Sequence, residues 1–493
     1  MLVTHGPIII GCILLAAVSL FWKILHNSKV PKAALPPFVP LTEYELQHTP
    51  LECIARALKQ HGPVIQIQRN GHRLFLTSNE FTPRILTDES YFSFESGMAK
   101  FFGLTWVNDL HDGTFFHDMD TYARGFVAQQ VQKVVPEIWP IFEKGVCGMV
   151  ENSQPGRPVE LQHQVQAIMA EATICIFFGQ KYGNPKNVKS VVDLAEDIAE
   201  LLGIYQNMSF LGRKAPWLWK PLTWVKIILF RIPLHIGFTF TRTLWTDISE
   251  ISKSPGKKDD SLIGYLVQAY ASPDGQLSLR TRMWIMVLIL TFLFASLHQT
   301  ATIMIWVTFY LGMRPDCQDD LREEVSSILR SRGMSCTNPV VDVQTMHDAV
   351  RTDSFIREVL RMKGDIVNLV RAPIRDIEIG GYIIPKGSLI FPVTHLSYRS
   401  PEFVTDPENF NGERWIGSGK TAAMTGSGYL AFGLGRWACP GRILAVMELK
   451  CWIFALLKHS KVELDGCKYE ILDPFNITSV PPQGDIMIEM CKG

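Results

Sequence analysis

The sequence predicts a mainly α-helical protein with a small β part, preceded by one N-terminal transmembrane helix. Three observations carry this. Residues 6–22 contain no charge and are followed by Lys23, Lys29 and Lys32. Stretches such as 127–150, with a kink expected at Pro136, and 161–178 repeat apolar residues at helical spacing. Strand-like alternation is confined to short runs joined by glycine-containing turns. The chain has 493 residues, of which 47% are apolar and 19% charged, a composition that excludes disorder and supplies a large core. Lys plus Arg and Asp plus Glu both number 48, so no field of one sign favours nucleic acid. The ten cysteines include no Cys-x-x-Cys pair and no zinc-type spacing, and are read as reduced thiols facing the cytosol.

In chain order, residues 1–30 read as a membrane anchor, because the lysines follow the apolar run rather than preceding it as in a cleaved signal. Pro31, Pro36, Pro37 and Pro40 make 31–40 a semi-rigid hinge, and the catalytic body is expected over 41–493. Residues 64–68 and 73–77 form a hairpin across Asn70-Gly71, and 376–379 with 382–384 form a second across Gly380-Gly381. Residues 252–260 read as a surface loop between helices. Leu279–Met313 is apolar enough for a second membrane span, but Ala295 to Thr300 puts small and polar groups half-way along it. A buried core helix with a notch facing a ligand is the preferred reading.

Near the C-terminus, Phe432-Gly433-Leu434-Gly435-Arg436-Trp437-Ala438-Cys439-Pro440-Gly441-Arg442 sets one cysteine between glycines, just ahead of a helical run. The helix dipole and unpaired amides at such a turn are expected to favour thiolate over thiol. The spacing Phe-x-x-Gly-x-x-x-Cys-x-Gly resembles the haem-binding loop of the cytochrome P450 superfamily. Two further pieces fall in that family's order. Glu358 and Arg361 stand three apart, and Arg414, in Phe410-Asn411-Gly412-Glu413-Arg414-Trp415, resembles the arginine that joins that pair in a buried network.

The resemblance implies the cytochrome P450 fold and haem b, with the iron ligated by Cys439 and the loop residues Phe432, Gly435, Arg436 and Gly441 around it. It places oxygen binding against the notch that holds His298, Gln299 and Thr300. Arg371 lies where relatives use a basic residue on a haem propionate; a surface salt bridge is its other reading. The implied activity is a monooxygenase driven by NADPH through NADPH-cytochrome P450 reductase, with cytochrome b5 admitted as a further partner. The chain has no Gly-x-Gly-x-x-Gly nucleotide site of its own. The expected location is the endoplasmic reticulum membrane, single-pass, with the catalytic domain cytosolic.

Two departures from the family pattern stand out. Trp437 occupies the position of the usual propionate-binding basic residue, so Arg436 either substitutes for it or faces a partner. His298 and Gln299 replace the usual acid and threonine that relay protons, so His298 is a proton carrier or a core histidine. Histidine there resembles membrane-bound members of filamentous fungi that tailor terpenoids and other lipophilic metabolites. The aromatic and lysine-rich segment 215–233 reads as a surface resting in lipid or as core. The expected substrate is lipophilic, a terpenoid, sterol or similar. Competing readings are an isomerase or dehydratase acting on a peroxide, and a non-catalytic haem-binding sensor or lipid carrier.

Overall fold

The computed structural model describes residues 35–237, 240–253, 259–272, 276–333 and 341–491. The anchor proposed over 1–30 lies outside the described residues, as do 254–258 of the expected loop 252–260. The longer elements, in chain order, are α1 (Pro50–His61), β1 (Val64–Arg69), β2 (His72–Thr77), α2 (Phe94–Phe102), α3 (Phe115–Gln130), α4 (Val134–Glu151), α5 (Leu161–Phe178) and α6 (Pro185–Leu201). There follow α7 (Pro216–Lys226), α8 (Phe240–Ser252), α9 (Leu262–Tyr270), α10 (Leu279–Met313), α11 (Pro315–Ser331) and α12 (Val350–Met362). The C-terminal part holds β3 (Ile377–Ile379), β4 (Tyr382–Ile384), β5 (Leu389–Pro392), α13 (Arg442–His459), β6 (Ser460–Leu464) and β7 (Ile486–Met490).

Both hairpin turns sit where glycine and asparagine permit them. Asn70 and Gly71 have φ of 49° and 79°, and Gly380 and Gly381 have 59° and 82°. Positive φ at both central residues is the two-residue turn whose twist matches antiparallel strands. β1 pairs antiparallel with β2, which pairs parallel with β5, so a strand from the C-terminal half completes the sheet.

The single helix expected over 127–150 is two, broken at 131–133. Pro136 explains the position. It has no N–H to give the carbonyl of Gln132 and its ring crowds that carbonyl, so the break falls one turn upstream of the proline rather than as a kink at it.

α10 is the axis of the main core. Ser278 caps its first turn by accepting from the backbone N–H of Thr281, and Pro315 follows its end. Its most apolar window has mean hydropathy 1.7, yet 61% of that window is buried in the protein. Trp306 and Leu311 on α10 join Phe142 of α4 and Trp452 of α13 in one continuous cluster. The buried majority of this helix packs as core.

Candidate functional site

The loop that carries Cys439 is a tight fold closed by its own backbone. The Cys439 N–H donates to the carbonyl of Phe432 at 2.8 Å. Gly433 and Gly435 take φ of 76° and 72°. A Cβ on Gly435 would also lie 3.3 Å from the carbonyl oxygen of Leu86, so a side chain there meets both strain and backbone. The N–H groups of Gly441 and Arg442, at the start of α13, favour the thiolate form of the cysteine. Burial nevertheless pushes the Cys439 thiol up, and these amides with the Arg442 and Arg124 guanidinium groups pull it back only in part. Desolvation and the turn thus act in opposite directions on this sulfur.

Two residues that sequence reading missed brace this loop. Arg124 of α3 donates through Nε to both carboxylate oxygens of Asp120 at 2.9 Å, and through Nη2 to the carbonyls of Arg436 at 2.7 Å and Ala438 at 3.1 Å. Asp120 also pairs with Arg436. Arg436 is thereby tied to a buried carboxylate on α3. The i, i+4 spacing of Asp120 and Arg124 was the available signal.

Trp437 stacks on Phe94 at 4.6 Å and 18°. On the same ring lies the Arg371 guanidinium, 5.1 Å from the centroid. Arg371 is 2% exposed, and among the described residues its guanidinium donates to the carbonyls of Val370 at 2.9 Å and Leu86 at 3.5 Å and to no carboxylate. Burial lowers it to about 10, with Glu89 opposing. A buried guanidinium bonded to no carboxylate is costly unless an anion reaches it. The arginine, the stacked pair Phe94–Trp437 and the cysteine turn thus fit a flat prosthetic group that carries acidic substituents.

In the middle of α10, Ala295 is exposed although most of its helix is core, so the packing opens there. Ser296 shares a hydrogen bond with Thr173 of α5 at 3.3 Å. His298 is buried, stacked on Phe294 at 5.2 Å and 19°, with the edge of Tyr205 at 6.1 Å. Burial lowers its imidazole to about 4. Gln299 accepts from the backbone N–H of Ser479 at 3.2 Å, while its Nε2 is buried without a partner among the described residues. Thr300 is buried.

Away from this part of α10, Arg361 donates Nε and Nη2 to the two oxygens of Glu358 at 3.0 and 2.7 Å, both side chains being fully buried. Arg414 donates Nε to Glu358 at 2.9 Å. Trp415 adds its indole N–H at 3.0 Å, and the backbone N–H of Asn411 a further bond at 3.1 Å. The carboxylate accepts from every side, which is how a buried charge is tolerated.

A family model described as Cytochrome P450 matches residues 29–488. The abscisic acid 8'-hydroxylase 3 of Oryza sativa subsp. indica is 30% identical over 233 residues, which is 47% of this chain and 45% of that protein. The mitochondrial 25-hydroxyvitamin D-1 alpha hydroxylase of Mus musculus is 32% identical over 34% of this chain and 32% of its own length. The cytochrome P450 monooxygenase ntnM of Nectria sp is 29% identical over 41% of this chain and 40% of its own. The matches span about half or less of each of these relatives. Among solved structures, the retinoic acid bound cyanobacterial CYP120A1 superposes with a TM-score of 0.63 at 18% identity, covering 93% of this chain and 99% of that one, a likeness of fold.

Proposed function

The chain belongs to the cytochrome P450 family, and from that premise we propose that it is a haem-thiolate monooxygenase inserting one oxygen atom from O2 into a lipophilic substrate, a terpenoid, sterol or similar metabolite. The family's haem, its iron bound by the cysteine thiolate here supplied by Cys439, brings the oxygen activation that side chains alone lack. The observation that carries the reading is the stack of Arg371 on Phe94 and Phe94 on Trp437, which brings a buried cation to the turn that holds Cys439 two residues on. Arg371 would hold a propionate. Phe432, Gly435 and Gly441 keep the loop low, and Arg124 with Arg436 and Asp120 fixes its height.

His298, Gln299 and Thr300 form the distal wall in this reading. Electrons come from NADPH through NADPH-cytochrome P450 reductase, with cytochrome b5 as a second donor. The protein sits on the endoplasmic reticulum by an anchor at 1–30, its catalytic body cytosolic. Exposed Trp217, Leu229 and Phe230, with Lys226 and Arg231 among them, support a second contact with lipid; Trp219 and Ile227 of the same segment are core.

The test is incubation of microsomes bearing the protein with lipophilic extracts of its source, with and without NADPH. A product heavier by one oxygen only when NADPH is present is expected. One observation favours a second reading: His298 is wedged between Phe294 and Tyr205 and lowered to about 4, a poor proton carrier at neutral pH. A peroxide isomerase or dehydratase on the same scaffold needs no such carrier, and product formed without NADPH would identify it.

A further inference from the structure

We propose that the cleft between the β1–β2 turn, α2 and α7 receives the acidic end of a lipophilic substrate, with Lys220 as the partner of its carboxylate. The inference rests on the monooxygenase reading and narrows its substrates to lipophilic carboxylic acids. Phe101, Phe102, Ile204, Phe391, Phe475 and Ile477 give the cleft apolar walls. Among the described residues, Lys220 of α7 is a cation on these walls without a counter-charge. Arg69, also on the lining, is bound to Asp473 at 2.6 Å. Lys226, on the same helix as Lys220, is bound to Glu200 at 2.7 Å. For the Lys220 ammonium there is no hydrogen bond or carboxylate within reach among the described residues. It lies over Gly103, where a Cβ would come within 2.7 Å of Nζ, and beside Trp224. A half-buried ammonium among aromatic rings pays for desolvation without return until an anion arrives.

The cleft also leads to the right place. Ile204 and Gln206 flank Tyr205, whose ring meets His298, and Ile477 lies two residues from Ser479, which holds Gln299. Its lining is therefore one or two residues removed in sequence from the groups that touch His298 and Gln299. A ligand whose carboxylate rests on Lys220 presents to the notch of α10 a carbon remote from the acid.

The experiment is titration of the full-length haem-loaded protein with dodecanoic acid and abietic acid, each beside its methyl ester, followed by the shift of the Soret band. At least one acid is expected to bind about tenfold tighter than its ester, the worth of one charge-assisted hydrogen bond. Lys220→Met should abolish that preference while leaving ester binding unchanged, and Lys220→Arg should retain it. Esters that bind as tightly as both acids, or a Lys220→Met protein that keeps the preference, overturn the proposal while the monooxygenase reading stands. Absence of a thiolate-type carbon monoxide band in the wild-type protein would remove that reading and this proposal together.

Discussion

The side-chain carbonyl of Gln299 accepts a hydrogen bond from the backbone N–H of Ser479 at 3.2 Å, and that bond fixes which way the carboxamide points. A backbone amide can only donate, so Oε1 is the end held by Ser479 and Nε2 is left as a buried donor without a partner. Ser479 in turn donates Oγ to Asp365 at 3.2 and 3.3 Å, and Lys363 reaches both Asp365 and Ser479. A polar chain thus runs from α10 to a buried ion pair. The Ser479 bond holds Gln299, unlike its neighbour His298, with a buried donor left to orient a water or an oxygen atom.

From this geometry, Gln299→Leu should bind substrate and accept electrons but convert less NADPH into product and more into hydrogen peroxide. His298→Phe should cost stability and leave product per NADPH unchanged. Measuring both ratios decides the matter, and the reverse pattern would assign the proton route to His298.

Arg361→Ala strips two bonds from a carboxylate that cannot reach water, a change worth about 3–5 kcal/mol. Little haem-loaded protein should accumulate. Trp415→Phe removes one of the bonds to Glu358 and should cost about 1.5–3 kcal/mol, leaving a folded but less heat-stable enzyme. Equal haem content in the Arg361→Ala and wild-type proteins would contradict the role of this network.

Glu448 of α13 is fully buried, and desolvation raises its carboxyl to about 8. Its folded pKa exceeds its unfolded one, so the folded state binds the extra proton and stability falls as pH rises from the unfolded value through about 8. His298 and His395 are both lowered to about 4, so their opposing effect ends near the unfolded histidine pKa of about 6.5. Between about pH 6.5 and 8, denaturant stability of the wild type should therefore fall by about 1–2 kcal/mol, and Glu448→Gln should flatten that slope.

Removing residues 1–30 should release only part of the protein from membranes in low salt, because Trp217, Leu229 and Phe230 remain exposed. High salt should change this little, because Lys226 pairs with Glu200 and Arg231 lies 3.9 Å from Asp197, leaving the apolar side chains to make the contact. Sedimentation of the truncated protein with microsomes measures this, and complete solubility in low salt would deny the second contact.

What could be read from the sequence follows from how local each signal is. The turns at Asn70-Gly71 and Gly380-Gly381 were legible because two adjacent positive φ angles admit few residues. The notch in α10 was legible because polar groups interrupt a long apolar helix. The break at 131–133 was misplaced because a proline acts on the turn before it, and Pro140 is tolerated inside α4. The ladder of Arg371, Phe94 and Trp437 was hidden because its members come from three distant segments, with no spacing to mark them. Lys220 was legible only as one of the lysines of 215–233: the absence of a counter-charge is a property of the packed cleft.

The most direct test of the central claim is the difference spectrum of the reduced protein with carbon monoxide, for the wild type and for Cys439→Ala. The wild type should show the red-shifted Soret band of thiolate ligation and the variant should lose it. The same band in both proteins would show that another group binds the iron and would contradict the site described.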